Sequence, residues 1–390
     1  MPIKNRLSEM QAEITAWRRD LHENPELLYD VHRTAATVAD KLRAFGCDEV
    51  VEGIGRTGVV GVIRGCNDSR GHVVGLRADM DALPIVEATG LPYASKVPGK
   101  MHACGHDGHT AMLLGAAKYL AETRNFDGAV AVIFQPAEEG GAGGEAMVKD
   151  GLISRFGIKE VYGMHNAPGM AVGHFSIKPG PFYAATDNFT LHLSGKGGHA
   201  AYPHRTVDTT VMACQVVTTL QTIVSRSIDP LHSVVVSVTS FRTESEAWNV
   251  IPEHVEIRGT VRSFDPAMRK IAEERFKTIV NATVQAFGGS VDLVWKPGYP
   301  AMVNAERETA FAAEVAAKIA GPGAVDTNCP AIMGGEDFAY MLQVCPGAYI
   351  QVGNGNTAEV HHPEYNFNDE AIPFGASYWA ELVETRMPAA

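Results

Sequence analysis

The sequence predicts an α/β protein with a mixed, mostly parallel sheet and an α+β unit inserted into it. Two patterns carry this reading. Continuous apolar runs separated by helical stretches, such as "GAVAVIFQPAEEG" and "AYIQVGN", suit strands buried on both faces of a parallel sheet. A middle region, beginning near Tyr183, alternates apolar and polar residues instead, as in "TDNFTLHLSGKGG", which suits strands with one solvated face.

Taken in order, "MPIKNRLSEMQAEITAWRRDLHENPE" reads as an amphipathic helix, and "RTAATVADKLRAFG" as another ending at Gly46. "HVVGLRADMD" opens with a strand over 72–78. "HTAMLLGAAKYLAETR" is helical, with Asp107 placed to cap its N-terminus. "EVYGMHNA" supplies a further buried strand. The middle region continues with a helix over 207–225, strands "HSVVVSVTSFR" and "HVEIRGTVRSF", a helix over 268–287 and "GSVDLVWK". This βαββαβ order suits a small antiparallel sheet with two helices on one face. The expected division is 1–183 with 298–390 for the larger domain and 184–297 for the insert.

The chain has 390 residues and 45% hydrophobic content, enough for a buried core. Its formal charge is −12 and no basic patch stands out, which argues against nucleic acid as a partner. There is no run of 18 apolar residues and no signal-peptide pattern, so no membrane association is expected. The six cysteines contain no CxxC pair, and the expectation is a reduced, cytoplasmic protein.

Unusual chemistry falls in five places: Asp79-Met-Asp81, Cys104-Gly-His106, Glu138-Glu139, His165, and His361-His362-Pro363. Each follows an apolar strand or begins the next helix. In an open α/β sheet, ligands bind beyond the carboxyl ends of the strands, so these remote segments can meet along one edge. Each also has a plain structural reading. A single cysteine is more often a small buried hydrophobe, adjacent glutamates are more often a solvated pair, and a strand histidine is as often a satisfied core residue. The Cys-x-His spacing shifts the balance, because residues two apart in an extended segment face the same way. His102 and His109 read as supporting or structural residues. Of two adjacent glutamates, one can hold metal while the other faces substrate as a base. The proline after His362 predicts an extended, stiff backbone there. Asp79 and Asp81 suit the role of orienting ligand histidines.

One thiolate, several imidazoles and a carboxylate suit Zn²⁺, Mn²⁺, Co²⁺ or Ni²⁺ rather than Ca²⁺ or Mg²⁺. The candidates outnumber the three protein ligands of an ordinary catalytic zinc site, so two ions sharing a bridging ligand is the simpler count. A metal-free Cys104 among histidines would tend towards the thiolate and be the thiol most open to oxidation.

The segments "NPELLYDVHRTA", "GLRADMDALPI", "MHACGHDGHTA", "FQPAEEGGAGG", "GMHNAPG", "GKGGHAAYPH", "NVIPEHVEIRGTVRSF", "MGGEDFAYM" and "HHPEYNFND" together resemble the M20 metallopeptidase and amidohydrolase family. The resemblance is closest to its hippurate hydrolase and indole-acetyl-amino-acid hydrolase branch and runs, in order, over nearly the whole chain. It implies a zinc-peptidase-like catalytic domain interrupted by a lid or dimerisation domain, in a homodimer or homotetramer. It implies a two-metal centre of Cys104, His106, Glu139, His165 and His362, with Cys104 bridging and Glu138 as general base. His199 would come from the lid of a partner subunit to polarise the scissile carbonyl. Asn249 and Arg262 would bind the substrate's carboxylate or carbonyl oxygen, Gly334 and Gly335 would line the pocket, and Asp81 would support the ligands. The wider family has His-x-Asp where Asp79-Met-Asp81 stands, and an aspartate bridge where Cys104 stands. The narrower branch shares both departures, and Asp79 is left without a ligand role.

The reaction this implies is hydrolysis of an N-acyl amino acid, aromatic-acyl in the hippurate-like reading, with N-acetyl-amino-acid deacetylation (aminoacylase or N-acetyl-diaminopimelate deacetylase type) as the alternative. A cysteine hydrolase using Cys104 would leave the glutamates and the remaining histidines unexplained. A non-catalytic metal-containing binding protein would be favoured had Glu138 been absent.

Overall fold

The structure is a computed structural model and describes residues 4–389. The chain divides into two compact units, Met1–Gly180 with Val303–Pro330 and Asp337–Ala390, and Pro181–Met302 with Ala331–Glu336.

The first unit is built on an eight-stranded mixed sheet. Its order is Glu49–Ile54, Gly58–Arg64, Ala129–Gln135, Val73–Asp79, Glu160–Pro168, Gly347–Gly355, Phe175–Ser176, Val325–Asp326. The four strands from Ala129–Gln135 to Gly347–Gly355 run parallel to one another. Both outer strands on the Gly58–Arg64 side are antiparallel. The central runs are apolar because both faces are covered. Every residue of Ala129–Gln135 is buried, and in Val73–Asp79 only Val73 is partly exposed.

The helix His106–Thr123 is buried nearly all round, from Met112 and Leu113 to Leu120. It packs with Gln11–Glu23 and Ile372–Arg386 into one core that includes Ile14, Trp379 and Val383. Truncating a fully buried residue such as Leu113 to alanine would cost about 2–5 kcal/mol. The single N-terminal helix expected from the sequence is two, Asn5–Glu9 and Gln11–Glu23, which meet at Met10. Residues 1–3 of that expectation lie outside the described residues. Helix His32–Ala44 ends as anticipated, with Gly46 in the left-handed region at φ +80°.

The second unit has a four-stranded antiparallel sheet in the order Val234–Thr243, His254–Ser263, Ala185–Ser194, Ser290–Pro297. Helices Thr209–Leu220 and Pro266–Ala286 share a core with it, through Met212, Val216, Phe276 and Val280 against Phe189, Leu191 and Ile257. Both helices are capped by aspartates, Asp208 and Asp265, whose carboxylates accept from the first-turn N–H groups. The element order is βαββαβ. Residues 331–336 of the returning chain belong to this unit rather than the first. Ile332 N–H donates to Phe182 O, and Ala184 N–H donates to the carbonyls of Ile332 and Gly334. Among the described residues, no helix is long and apolar enough to cross a membrane.

Candidate metal centre

The parallel strands of the first unit end where the chemistry begins. Asp79 closes Val73–Asp79, Glu138 and Glu139 follow Ala129–Gln135, His165 lies in Glu160–Pro168, and His361 follows Gly347–Gly355. This is the carboxyl edge of the sheet, where a ligand site belongs.

Cys104, His106 and His165 present ligand atoms within 4.8 Å of one another, and so do Cys104, Glu139 and His361. Cys104 is common to both groups. His106, Glu138 and Glu139 form a third such group. The Cys104 Sγ lies 3.4 Å from His165 Nε2. Both imidazoles are held in the tautomer a ligand needs. His106 Nδ1–H donates to the Asp81 carbonyl at 2.8 Å, and His165 Nδ1–H to the Asn166 carbonyl at 2.7 Å. A carbonyl can only accept, so each Nδ1 carries a proton and Nε2 is the atom left to face a metal.

Local backbone explains the Cys-Gly-His order. Gly105 sits at φ +87°, and a Cβ there would lie 2.4 Å from both Asn166 Nδ2 and the Tyr365 hydroxyl. No other residue type fits. Ala137 before the glutamate pair, at φ +54°, and His361, at φ +67°, are non-glycine residues in the left-handed region. Such strain persists where the surroundings over-determine it, and it concentrates at functional sites.

Asp81 pins the loop that carries the glutamates. Its two carboxylate oxygens accept the main-chain N–H groups of Glu138 at 2.9 Å and Glu139 at 3.1 Å. Asp79 serves a different pair. It accepts from Arg77 at 2.8 Å and from His109 Nδ1 at 2.6 Å, while His109 Nε2 accepts from Asn166. Both nitrogens of His109 are therefore used, and it is a supporting residue. His102 is buried with neither ring nitrogen hydrogen-bonded, and burial drives its pKa down to about 3.

The electrostatics ask for a cation. Burial alone would lower the pKa of His106, but Asp79, Asp81 and Glu139 outweigh it and push it up to about 10. His106 Nε2 nevertheless has no hydrogen-bond partner while fully buried. Burial and the neighbouring histidines take His165 down to about 3, leaving a neutral imidazole. A buried, unpartnered Nε2 whose proton an ion would replace, a neutral imidazole, a thiol and a carboxylate together fit a divalent transition ion.

Three sequence-based expectations need correction. The structure brings His361, not His362, to the cluster. The His361 main-chain N–H donates to the Ala103 carbonyl at 2.7 Å, which ties it beside Cys104, and its Nε2 lies 3.2 Å from Glu139 Oε1. His362 is exposed, and its Nδ1 accepts from the Glu364 N–H. The backbone at His361 is left-handed rather than extended. Secondly, Asp107 does not cap its helix. It lies inside the first turn, and its buried carboxylate is taken by Arg18 at 2.9 Å and His22 at 2.8 Å. Thirdly, metal-free Cys104 is held as the thiol. Burial raises its pKa, and Glu139, Glu138 and Asp79 raise it further.

Sequence reasoning passed over Asn166 and Tyr365, which hydrogen-bond to each other, and the buried Asp337, which binds Arg77, Gln135 and the Gly144 N–H. Arg77 and Asp337 had a usable signal, since a charged residue inside an apolar strand needs a buried partner.

In the second unit the expected residues form two groups. His199 is exposed on a two-residue strand paired with Val250–Ile251, and the Asn249 carbonyl accepts from Ala200 N–H. His199 Nδ1 accepts from Ala201 N–H. Arg262 is half-buried on the strand His254–Ser263, opposite Thr186. A Cβ on Gly335 would strike Thr186 Cγ2 at 2.5 Å and lie 3.7 Å from Arg262 Nη1, whereas one on Gly334 would fit.

The strand order, the two-unit division and the Cys–His–Glu cluster define a metallohydrolase class of protein. Residues 75–385 match the model of peptidase family M20/M25/M40, and the chain belongs to that family. It is 41% identical over 374 residues to a hippurate hydrolase of Campylobacter jejuni, covering 96% of each chain. It is 39% identical over 370 residues to an N-acetylcysteine deacetylase of Bacillus subtilis, covering 94% of each. Among solved structures, it superposes on the Bacillus subtilis YXEP protein, described as a dinuclear metal-binding peptidase of the M20 family. The TM-score is 0.83 at 34% identity, covering 98% of this chain and all of that one. The family and branch expected from the sequence are those found.

Proposed function

We propose that this chain is a metallo-amidohydrolase that cleaves N-acyl amino acids into a carboxylic acid and a free amino acid. The reading rests above all on Cys104, shared by two ligand groups that converge on the sheet's carboxyl edge. Cys104, His106, Glu139, His165 and His361 would hold two divalent ions, Zn²⁺, Mn²⁺, Co²⁺ or Ni²⁺. When bound, such ions polarise a carbonyl and make water a better nucleophile at neutral pH.

The residues do the rest. Glu138, buried and placed by Asp81, takes a proton from the attacking water. The water oxygen bonds to the acyl carbon, the C–N bond breaks, and Glu138 returns the proton to the leaving amine. The partner subunit's His199 donates to the carbonyl oxygen as it gains charge. Arg262 and Asn249 hold the amino acid's carboxylate, to which a planar guanidinium is suited. A homodimer or homotetramer in the cytoplasm completes the proposal; all six cysteines are free thiols, as a reducing compartment allows.

An aromatic acyl group is favoured by the likeness to a hippurate hydrolase. The likeness to an N-acetylcysteine deacetylase favours an acetyl group almost equally. Hydrolysis of hippurate and of N-acetyl amino acids, assayed on metal-free protein with each ion added back, tests both. Activity that survives chelation but not thiol alkylation would overturn the metal reading.

A further inference from the structure

Asn166, the neighbour of His165, is 1% exposed and reaches three other segments. Its Nδ2 donates to the Cys104 carbonyl at 2.6 Å and approaches His109 Nε2 at 3.0 Å. Its main-chain N–H donates to the same His109 nitrogen at 3.0 Å. Its Oδ1 accepts from the Tyr365 hydroxyl at 2.8 Å, and its carbonyl accepts from His165. The orientation of the amide is fixed by these partners, because the Cys104 carbonyl can only accept.

These bonds join the pieces that carry the proposed ligands. Cys104 belongs to the loop before the long helix, His109 lies one turn beyond His106, and Tyr365 lies four residues beyond His361. None of the catalytic steps above uses Asn166, yet Gly105 is confined to glycine by its amide. A chelate binds tightly when its donors are already held apart at the bound spacing.

We propose that Asn166 is a positioning residue whose side-chain amide sets the spacing of Cys104, His165 and His361, so that metal affinity depends on it. The inference rests on the ligand set proposed above.

Asn166→Asp is the sharpest probe, because it keeps the shape but turns a carboxylate oxygen towards the Cys104 carbonyl. Co²⁺ alone, titrated into metal-free full-length protein, reports affinity, and its thiolate-to-metal absorption reports Cys104. The dissociation constant should rise about 10- to 100-fold, as for partners that orient a ligand, with the thiolate band weakened. A merely structural role would lower the melting temperature of the metal-free protein and leave the Co²⁺ titration within about twofold of wild type; that result overturns the proposal. Tyr365→Phe removes one donor to Oδ1 without changing shape. It should weaken Co²⁺ binding roughly fivefold, the worth of one hydrogen bond. Should Asn166→Asp not fold, an unchanged Co²⁺ affinity in Tyr365→Phe overturns the proposal. Absence of a thiolate band in the wild type would overturn the ligand set, and this inference with it.

Discussion

Replacing His361 with asparagine removes an imidazole while keeping a residue that tolerates left-handed backbone. The backbone at φ +67° and the bond to the Ala103 carbonyl should therefore survive. What is lost without metal is small. The His361 side chain is 53% exposed, and its pair with Glu139 at 3.2 Å is of the half-solvated kind, worth no more than about 1 kcal/mol. That corresponds to a melting shift of a few degrees at most. Metal binding should respond far more strongly, because one of the three donors grouped around Cys104 and Glu139 is gone. The loss should exceed the about 10–100-fold cost of removing a mere supporting partner. His362→Asn is the control. His362 is exposed and accepts one hydrogen bond from Glu364, so its loss should leave affinity within about twofold. Metal analysis after desalting, with a Mn²⁺ titration by calorimetry, separates the two variants. Full metal retention in His361→Asn, or metal loss in His362→Asn, would refute the assignment.

Cys104→Ser should bind far less metal than wild type; full occupancy after desalting would remove Cys104 from the ligand set. Glu138→Gln should keep its metal and lose about 10²–10⁴-fold in turnover, and loss of metal instead would mean that the roles of Glu138 and Glu139 are exchanged. His199→Ala should fold, bind metal and be nearly inactive, and a confirmed heterodimer of His199→Ala with Glu138→Gln should regain part of the activity if His199 acts across subunits. Glu160 predicts a pH dependence remote from the site. Burial raises its carboxyl pKa, but bonds from Arg386, Tyr162 and His72 outweigh this and hold it below the usual value. Because the folded pKa is depressed, its contribution to stability is complete above about pH 4.5 and fades as pH falls through the folded value. Glu160→Gln should therefore flatten the acid limb of the stability curve, and an unchanged limb in chemical denaturation would refute the assignment.

The helices, strands and insert were legible because their signals are local. Apolar runs such as Ala129–Gln135 and the alternation in Ala185–Ser194 depend on which face is buried, and the sequence writes that directly. The convergence of Cys104, Glu139 and His165 was legible through one topological rule about strand ends. Residues misread from the sequence depend on distant partners. Asp107 has the right type and place for a cap, but Arg18 and His22, on the helix Gln11–Glu23, claim its carboxylate. The choice between His361 and His362 turns on a single main-chain bond to Ala103, which leaves no mark in a His-His-Pro string. The same holds for residues 331–336, which join the second unit through main-chain bonds to Phe182 and Ala184.

The carboxylates around the site can be sorted by what neutralises them, and the sorting explains which of them suit a metal. Asp79 is fully buried and held well below the usual carboxylate range, because His106, His109 and Arg77 beside it outweigh the effect of burial. Its strongest contacts are with Arg77 and His109, so little of it is left for an ion. Asp81 spends both oxygens on the N–H groups of Glu138 and Glu139. Asp337 spends its own on Arg77, Gln135 and Gly144. Glu139 differs from all three. Its carboxylate meets the imidazoles of His361 and His106, two groups that can equally serve as neutral ligands. A carboxylate neutralised by arginine or by backbone donors gains little from a cation, whereas one facing imidazoles can share a cation with them. Asp79 and Asp81 therefore build the frame, and Glu139 is the carboxylate whose surroundings a divalent ion completes.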